Sequence, residues 1–306
     1  MKSSDALLAA FGAFAAFGFV AACGAVETDR APASATASNA EGEAEEEVQM
    51  PAAADMLDAA ITGDHRTAEE KARDAFRNPK ETLTFFGVEP WMNVVEIWPG
   101  GGWYTNIIAP YLSKGGGVYQ AAHFDPERSE RTARAITAFE EKYGSNLDLY
   151  GDVAITVLGG EESDIAPDGS ADVVVTFRNV HNWTASDYAE SAFKQFYDAL
   201  KPGGVLGVVE HRADGPDVSP RTGYVAEETV MALAAGAGFV FEEASEINAN
   251  PNDTKDHPFG VWTLPPVRRS SANAGEPPAA DFDRAAYDAI GESDRMTLRF
   301  RKPAAE

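Results

Sequence analysis

Short apolar segments alternate with helical segments from about residue 93 to residue 301, and this alternation constrains the fold more than any other feature of the chain. Seven such segments are predicted as strands. The segment 171–177 (ADVVVTF) is nearly all apolar, which is typical of a strand buried on both faces of a parallel sheet. The other strands are predicted at 93–98, 118–122, 154–158, 205–210, 239–245 and 296–301.

Strands separated by helices build βαβ units with parallel strands. The pattern therefore predicts one Rossmann-like, doubly wound α/β domain with a seven-stranded, mostly parallel sheet. The last strand, 296–301 (MTLRFR), alternates apolar and polar residues and is predicted as an antiparallel edge strand. Two smaller domains would need a linker, and 248–281 is the one candidate; we interpret it instead as a loop insertion.

Capping residues predict where several helices begin. Thr67 and Glu70 have the spacing of a capping box. Asp125 followed by Pro126 provides an N-cap and a first-turn proline for the helix after the second strand. Thr184 is the predicted N-cap of the helix that ends near residue 200.

The amino terminus has the features of an export signal. Lys2 precedes an apolar run over 6–22, and the run ends in Val20-Ala-Ala-Cys23. These four residues resemble a bacterial lipobox, in which the cysteine receives a diacylglyceryl group and becomes the first residue of the mature protein. Residues 1–22 are therefore predicted as a signal peptide, and Cys23, the chain's only cysteine, as the lipidation site. The alternatives are a plain cleaved signal and an uncleaved anchor.

Residues 23–55 are predicted as an acidic, disordered tether that precedes a folded domain at 56–306. Between residues 24 and 55 there are eight acidic residues, one arginine and almost no large apolar side chains. The whole chain has a formal charge of −24, which argues against nucleic-acid binding and against docking on anionic lipid. Membrane contact is accordingly expected only through the lipid anchor, on the periplasmic side. If the signal is not used, the protein is cytoplasmic.

A glycine-rich turn follows the first predicted strand. The strand contains Glu96, and the turn reads Trp98-Pro-Gly100-Gly101-Gly102. In an open parallel sheet, ligands bind at the carboxyl ends of the strands, and glycines let the backbone approach them closely. This turn alone is also compatible with a dinucleotide.

A second segment strengthens the functional interpretation. The strand 171–177 is followed by Arg178-Asn-Val-His-Asn-Trp183, and a Leu-Lys-Pro-Gly-Gly turn follows at 200–204. With the glycine turn, this order resembles the class I S-adenosylmethionine-dependent methyltransferases. More narrowly, it resembles a bacterial group of predicted methyltransferases with PGGGWYT and RNxHNW motifs. The resemblance extends over about 67–303.

The resemblance implies S-adenosyl-L-methionine as the cofactor. It assigns the methionine end and the ribose to Glu96, Gly100, Gly101 and Gly102. Asp125 is the candidate for the ribose hydroxyls, although a role as a helix N-cap explains it equally well. Glu161 is the candidate that reads the adenine edge. Trp98 occupies a position where the superfamily has glycine, which narrows the space beside the ligand.

The residues after the fourth and fifth strands are expected to face the methyl acceptor. His181 has a suitable ordinary pKa for a general base, and Arg178 and Asn179 are predicted beside it. The predicted substrate contacts are Trp183, His211 and Arg212. No metal is predicted, and the acceptor is expected to be a small molecule or an envelope component. The segment 250–259 is a candidate lid, and its acidic residues and His257 are interpreted as a solvated loop.

The sequence leaves two other hypotheses for the function. S-adenosylmethionine is made in the cytosol, whereas an exported lipoprotein faces the other side of the membrane. The alternative is therefore a non-catalytic ligand-binding lipoprotein on the same fold. A nicotinamide oxidoreductase is disfavoured because the turn has Thr105 where a third small residue is expected. The acceptor atom and the oligomeric state are not indicated by any residue pattern.

Overall fold

A seven-stranded sheet is the centre of the protein. The computed structural model describes residues 51–159, 163–216, 220–273 and 275–305. The signal, the lipidation site and most of the tether predicted from the sequence lie outside these residues. The strands are β1 (Asn93–Ile97), β2 (Val118–His123), β3 (Ala154–Val157), β4 (Ala171–Phe177), β5 (Leu200–His211), β6 (Val240–Ser245) and β7 (Arg295–Arg301).

Helices connect the strands and cover both faces of the sheet. They are α1 (Ala53–Thr62), α2 (Ala68–Ala72), α3 (Asp74–Arg77), α4 (Pro79–Phe85), α5 (Thr105–Gly115), α6 (Glu130–Gly144), α7 (Leu147–Tyr150), α8 (Val180–Thr184), α9 (Ala189–Ala199), α10 (Glu227–Ala237) and α11 (Arg284–Ile290). Short 3₁₀ helices occur at Pro126–Arg128, Pro220–Thr222 and Gly260–Thr263. Among the described residues, no helix combines the length and the apolar character that crossing a membrane requires.

The strand order is β3-β2-β1-β4-β5-β7-β6. The pairs from β3 to β5 are all parallel, and β7 is antiparallel to both β5 and β6. The predicted fold class is therefore confirmed. The prediction that the last strand lies at the edge is wrong, because β7 inserts between β5 and β6. The edge strand is β6, whose residues are mostly exposed and whose Glu242 pairs with Arg299 on β7.

Two predicted helix starts are also wrong. Asp125 caps only the 3₁₀ helix at Pro126–Arg128, and the chain is extended at Ser129, which is the N-cap of α6. Thr184 ends α8 rather than beginning the next helix, and the left-handed Asp187 (φ 55°) separates it from α9. The capping box at Thr67 is confirmed, because its hydroxyl accepts from the Glu70 N–H and the Glu70 carboxylate accepts from the Thr67 N–H. Helix α1 begins inside the segment predicted as tether.

Alternating residues of the central strands point into two apolar layers. Val94 of β1 and Val173 of β4 pack in one layer with α1, α4 and α5. Val95 and Val174 pack in the opposite layer with α9 and α10. Strands buried on both faces explain why the β4 segment is nearly all apolar.

The turn between β1 and α5 is fixed by a close contact. A Cβ added to Gly102 would lie 1.9 Å from the hydroxyl of Tyr143 on α6, and Gly102 has a left-handed φ of 81°. Gly100 is also left-handed (φ 61°), but a Cβ there meets nothing within 4 Å. Gly102 is thus needed for helix packing, whereas Gly100 borders open space.

This difference predicts the stability of two matched variants. Gly102→Ala should lower the free energy of unfolding by roughly 2–4 kcal/mol, because overpacking adds to left-handed strain. Gly100→Ala should cost only about 1–2 kcal/mol, because strain acts there alone. Urea denaturation of both variants measures the difference. Equal losses would contradict the assigned role of Tyr143.

Candidate functional site

A cavity opens where the order of the strands reverses. Strands β1 and β4 are parallel neighbours, and the chain continues from them to opposite sides of the sheet. Such a switch point leaves a crevice beyond the carboxyl ends of the two strands. The cavity there measures about 410 Å³, a size usual for small-molecule sites. Its polar lining consists of Glu70, Arg73, Arg77, Glu96, Arg178, Asn179, His181, His211, Ser293 and Arg295.

Glu96 places a buried carboxyl group at the floor of this cavity. Glu96 belongs to β1 and is 2% exposed. One oxygen, Oε2, accepts hydrogen bonds from the Tyr119 hydroxyl at 2.6 Å and the Thr105 hydroxyl at 3.2 Å. Burial raises the pKa of Glu96 to about 7, against the lowering effect of these two hydrogen bonds. Oε1 has no hydrogen-bond partner among the described residues, so it is available to a ligand.

Gly100 and Gly101 line the cavity beside Glu96, whereas Gly102 does not. Neither Gly100 nor Gly101 has an atom within 4 Å of the position that a Cβ would take. The two glycines therefore leave room for a ligand against the backbone. Gly102, predicted with them, packs against Tyr143 instead.

Trp98 lines the cavity and contacts the residues that follow β2 and β3. Its indole N–H donates to the carbonyl oxygen of Leu158, directly after β3, at 2.9 Å. Its ring packs on Phe124, directly after β2, at 4.3 Å between centroids, and against Trp183 at 5.4 Å. Trp98 is also left-handed (φ 47°), a conformation that favours glycine.

The residues of the cavity fit one half of S-adenosylmethionine and not the other. The methionine half fits, since Glu96 offers a free oxygen and Gly100 and Gly101 offer space. The nucleoside half does not fit with Trp98 where it is, because the indole fills the space between the residues that follow β2 and β3. A nucleoside requires that this ring turn away.

A pair of histidines shares one carboxylate at the rim of β5. The Glu210 carboxylate accepts from His181 Nδ1 at 3.1 Å, from the His181 backbone N–H at 3.2 Å and from the His211 backbone N–H at 2.7 Å. His211 Nδ1 lies 2.5 Å from the Ser293 hydroxyl. The two imidazole rings are 5.3 Å apart. Burial and the positive charge of nearby residues, Arg178 among them, hold the pKa of His211 well below its usual range, so His211 is neutral at pH 7.

The side chains of His181, Glu210 and His211 are close enough together to hold a metal ion. Ligand atoms of His181, Glu210 and His211 lie within 4.8 Å of one another. A histidine pair with one carboxylate is a common donor set for transition metals. However, the guanidinium groups that depress the pKa of His211 also oppose a divalent cation.

Three residues predicted near the methyl acceptor have different positions in the structure. Asn179 lines the cavity, but its amide is tied to the Ile97 carbonyl at 2.9 Å, so it fixes the loop after β4. Trp183 is fully buried in the core beneath the sheet and does not line the cavity. Arg212 does not line the cavity, because it forms ion pairs with Glu246 and Asp294.

The predicted nucleoside contacts are not part of the cavity either. The Asp125 carboxylate accepts from the Glu127 N–H at 2.8 Å as a helix N-cap. That is the structural role that the sequence left open for it. Glu161 lies outside the described residues.

The loop predicted as a solvated lid is partly buried. Asp253 and His257 are buried and lie 2.7 Å apart, and Asp253 also accepts from the Tyr224 hydroxyl. They stabilise the connection to β7 rather than facing solvent. The residues that line the cavity come from slightly later in the chain, including Trp262 and Pro265.

Sequence reasoning missed the arginines of the cavity. Arg73, Arg77 and Arg295 come from distant parts of the chain and meet around the buried Glu292. No motif marks these positions. The exception is Arg178, which the sequence placed at the site and which lines the cavity in a left-handed conformation (φ 64°).

Comparison with known proteins finds solved structures that are similar at low sequence identity. No family model matches this sequence, and no curated protein matches it. Among solved structures, an S-adenosylmethionine-dependent methyltransferase from Aquifex aeolicus is similar at 21% identity and a TM-score of 0.43, over 58% of this chain and 87% of that one. A methyltransferase from Methanosarcina mazei matches at 12% identity and 0.44, over 73% and 97%. The [4+2]-cyclase SpnF matches at 16% and 0.46, over 80% and 86%. Similarity at this level assigns no activity to the chain.

The raised pKa of Glu96 predicts a pH-dependent gain in stability for Glu96→Gln. Between pH 4.5 and 7 the folded protein keeps a proton that the unfolded chain releases, so wild-type stability falls as the pH rises through this window. Glutamine cannot ionise and keeps an acceptor for Tyr119. The variant's advantage over wild type should therefore grow by about 2–3 kcal/mol from pH 5 to pH 8.

Chemical denaturation at the two pH values tests this expectation. Asp125→Asn, at a half-buried helix cap, serves as the control and should show no comparable growth. A constant difference between Glu96→Gln and wild type across this range would contradict the buried, proton-binding state of Glu96.

Proposed function

We propose that this protein is an S-adenosylmethionine-dependent methyltransferase that acts on a small-molecule or envelope acceptor. One observation carries the proposal. A single cavity at the switch point of β1 and β4 joins the glycine turn and Glu96 to His181 and His211. A cofactor half-site and groups suited to proton transfer thus share one enclosed space.

The cofactor side is assigned to the β1–α5 turn. Glu96 would accept a hydrogen bond from the cofactor's ammonium group through Oε1, and the backbone at Gly100 and Gly101 would approach its methionine carbons. When bound, S-adenosylmethionine supplies an electrophilic methyl group on a sulfonium. An ammonium beside Glu96 favours the ionised carboxylate, so binding should lower the pKa of Glu96.

The acceptor side is assigned to the histidines. With the Nδ1 proton of His181 donated to Glu210, Nε2 is left as an acceptor and makes no hydrogen bond within the described residues. An acceptor hydroxyl or amine placed there would lose its proton to His181. Trp262, whose ring lies 6.1 Å from that of His181, would help to exclude water.

The position of Trp98 favours a second candidate function, binding without catalysis. Its indole would have to release the Leu158 carbonyl before a nucleoside could enter. If it does not, the cavity can hold only a smaller ligand, and the chain is a binding protein on a methyltransferase-like fold.

Calorimetric titration of the full chain with S-adenosylhomocysteine separates the two functions. S-adenosylhomocysteine, the product of methyl transfer from the cofactor, should bind wild type. Trp98→Gly should bind it at least about tenfold more tightly, because the variant removes the indole ring and because glycine suits the left-handed backbone at position 98. Glu96→Gln should bind it about tenfold more weakly through loss of a charge-assisted hydrogen bond.

Phe124→Leu is the matched control, since it trims the ring against which Trp98 packs and leaves Trp98 in place. It should change the affinity much less than Trp98→Gly. Absence of heat from wild type at millimolar ligand would contradict the methyltransferase proposal and favour the binding function, whatever the variant does.

We also propose that the protein is an exported lipoprotein anchored through Cys23. The support is the sequence alone: a basic residue, an apolar run and the Val-Ala-Ala-Cys motif, followed by an acidic linker. Attachment through a lipid would be independent of the strongly negative surface.

Metabolic labelling with a palmitate analogue tests the anchor. The full chain should be labelled and should fractionate with membranes, and Cys23→Ser should abolish the label, because no other thiol is present. Ala22→Gly keeps a small residue before the cysteine and should retain the label. Label that persists in Cys23→Ser would overturn the lipoprotein assignment.

A further inference from the structure

Four arginine side chains converge on one end of the cavity. Arg73 and Arg77 come from the α2–α3 region, Arg178 from the loop after β4, and Arg295 from the start of β7. Glu292 is the carboxylate partner of three of them. It accepts from Arg73 Nε at 2.7 Å and Arg77 Nε at 3.2 Å, and it pairs with Arg295. The four guanidinium groups are thus only partly neutralised.

The other carboxyl groups that line the cavity do not pair with these arginines. The two oxygens of Glu70 accept from the Asn106 amide at 2.6 Å and the Thr67 N–H at 2.9 Å. Glu96 is held by Tyr119 and Thr105. Positive charge therefore remains in excess at the arginine end.

Several guanidinium donors are buried without a partner. Arg73 Nη2, Arg77 Nη2 and Arg295 Nε are enclosed and have no acceptor within the described part of the chain. Arg77 and Arg295 are only 3% and 2% exposed. The Arg178 side chain likewise forms no hydrogen bond or ion pair with any described residue. The Arg178 guanidinium is half-buried and lines the cavity, so its donors are the ones that an acceptor with several oxygens can reach.

The arginines are held in place by the fold. The Arg77 guanidinium lies 4.5 Å from the centre of the Trp103 ring. The backbone carbonyl oxygen of Arg77 accepts a hydrogen bond from the Tyr104 hydroxyl. The Arg178 backbone is left-handed, and its N–H donates to the Val209 carbonyl at 2.7 Å. Strained backbone persists where its surroundings impose it, and such positions cluster at ligand sites. A preorganised group of guanidinium forks suits a carboxylate or phosphate.

Electrostatics favours an anion over a cation at this position. Burial and the neighbouring charges of Arg295 and Arg73 lower the pKa of Arg178 to about 10, in spite of Glu292. The guanidinium groups therefore repel one another, and an anion between them would relieve that repulsion. A divalent metal on His181 and His211 would add to it.

We propose that the ligand of this cavity carries an oxyanion group, a carboxylate or a phosphate, bound by Arg77, Arg178 and Arg295. The unpaired fork of Arg178 supplies direct contacts, and Arg77 and Arg295, which line the same end of the cavity, add positive charge beside it. If the proposed function holds, this ligand is the methyl acceptor, and its anionic end positions the reacting atom near His181. The oxyanion subsite itself does not depend on methyl transfer.

Binding of simple anions to the full chain tests the subsite without any S-adenosyl compound. Inorganic phosphate and malonate are titrated separately by calorimetry at constant ionic strength, so that their affinities distinguish phosphate from carboxylate recognition. One of them should bind wild type at a single site with a Kd below about 1 mM. Arg178→Gln should weaken it at least tenfold, and Arg134→Gln, which removes an exposed arginine on α6, should not.

Thermal unfolding adds a readout that a purely structural arginine would not give. Without anion, Arg178→Gln should melt at or above the wild-type temperature, because one repelling charge is gone. With saturating anion, wild type should melt at the higher temperature. If Arg178→Gln does not fold, Arg73→Gln, at a partly exposed position, should weaken binding about threefold or more.

Equal and weak binding of both anions by wild type, Arg178→Gln and Arg134→Gln would overturn the subsite. That result would leave the methyltransferase proposal to the S-adenosylhomocysteine titration. Conversely, anion binding without S-adenosylhomocysteine binding would support the subsite and reject methyl transfer.

Discussion

The parallel pairing of β1 with β4 is the constraint on which the site depends. Val94 to Ile97 lie in register with Val173 to Thr176, so both strands end together at the same edge of the sheet. Their loops then leave in opposite directions, and polar backbone at this edge must be satisfied locally. The amide of Asn179 does so by bridging to the Ile97 carbonyl. The glycine turn and the histidine loop are therefore fixed side by side before any ligand binds.

Charge distribution at the cavity opposes the charge of the whole chain. The sequence has a formal charge of −24, yet the cavity collects arginines around the buried carboxylate of Glu292. These arginines hold the pKa of Glu292 well below its usual range, against the effect of burial. Repulsion by the surface would discourage polyanions such as nucleic acid, whereas a small anion in the cavity would contact guanidinium groups directly.

The sequence predicted the fold better than the site, for a physical reason. Strand periodicity and glycine turns are local, so they located every strand and the Glu96 turn. The edge position of β7 was wrong because pairing between strands is not local. The arginines of the cavity escaped prediction for the same reason: Arg77 and Arg295 are more than two hundred residues apart in the chain, and no local pattern connects them. The burial of Trp183 in the core could not be predicted, because an aromatic residue in a core and one in a pocket have the same sequence pattern.

We propose that one cavity holds both a cofactor half-site and an oxyanion subsite. A crystal structure of the full chain with S-adenosylhomocysteine and phosphate tests both together. We expect an oxyanion against Arg77, Arg178 and Arg295, the amino group of S-adenosylhomocysteine at Glu96, and the Trp98 indole turned away from the Leu158 carbonyl. Ligands bound elsewhere, or an unchanged Trp98 with no ligand at Glu96 and the arginines, would contradict it.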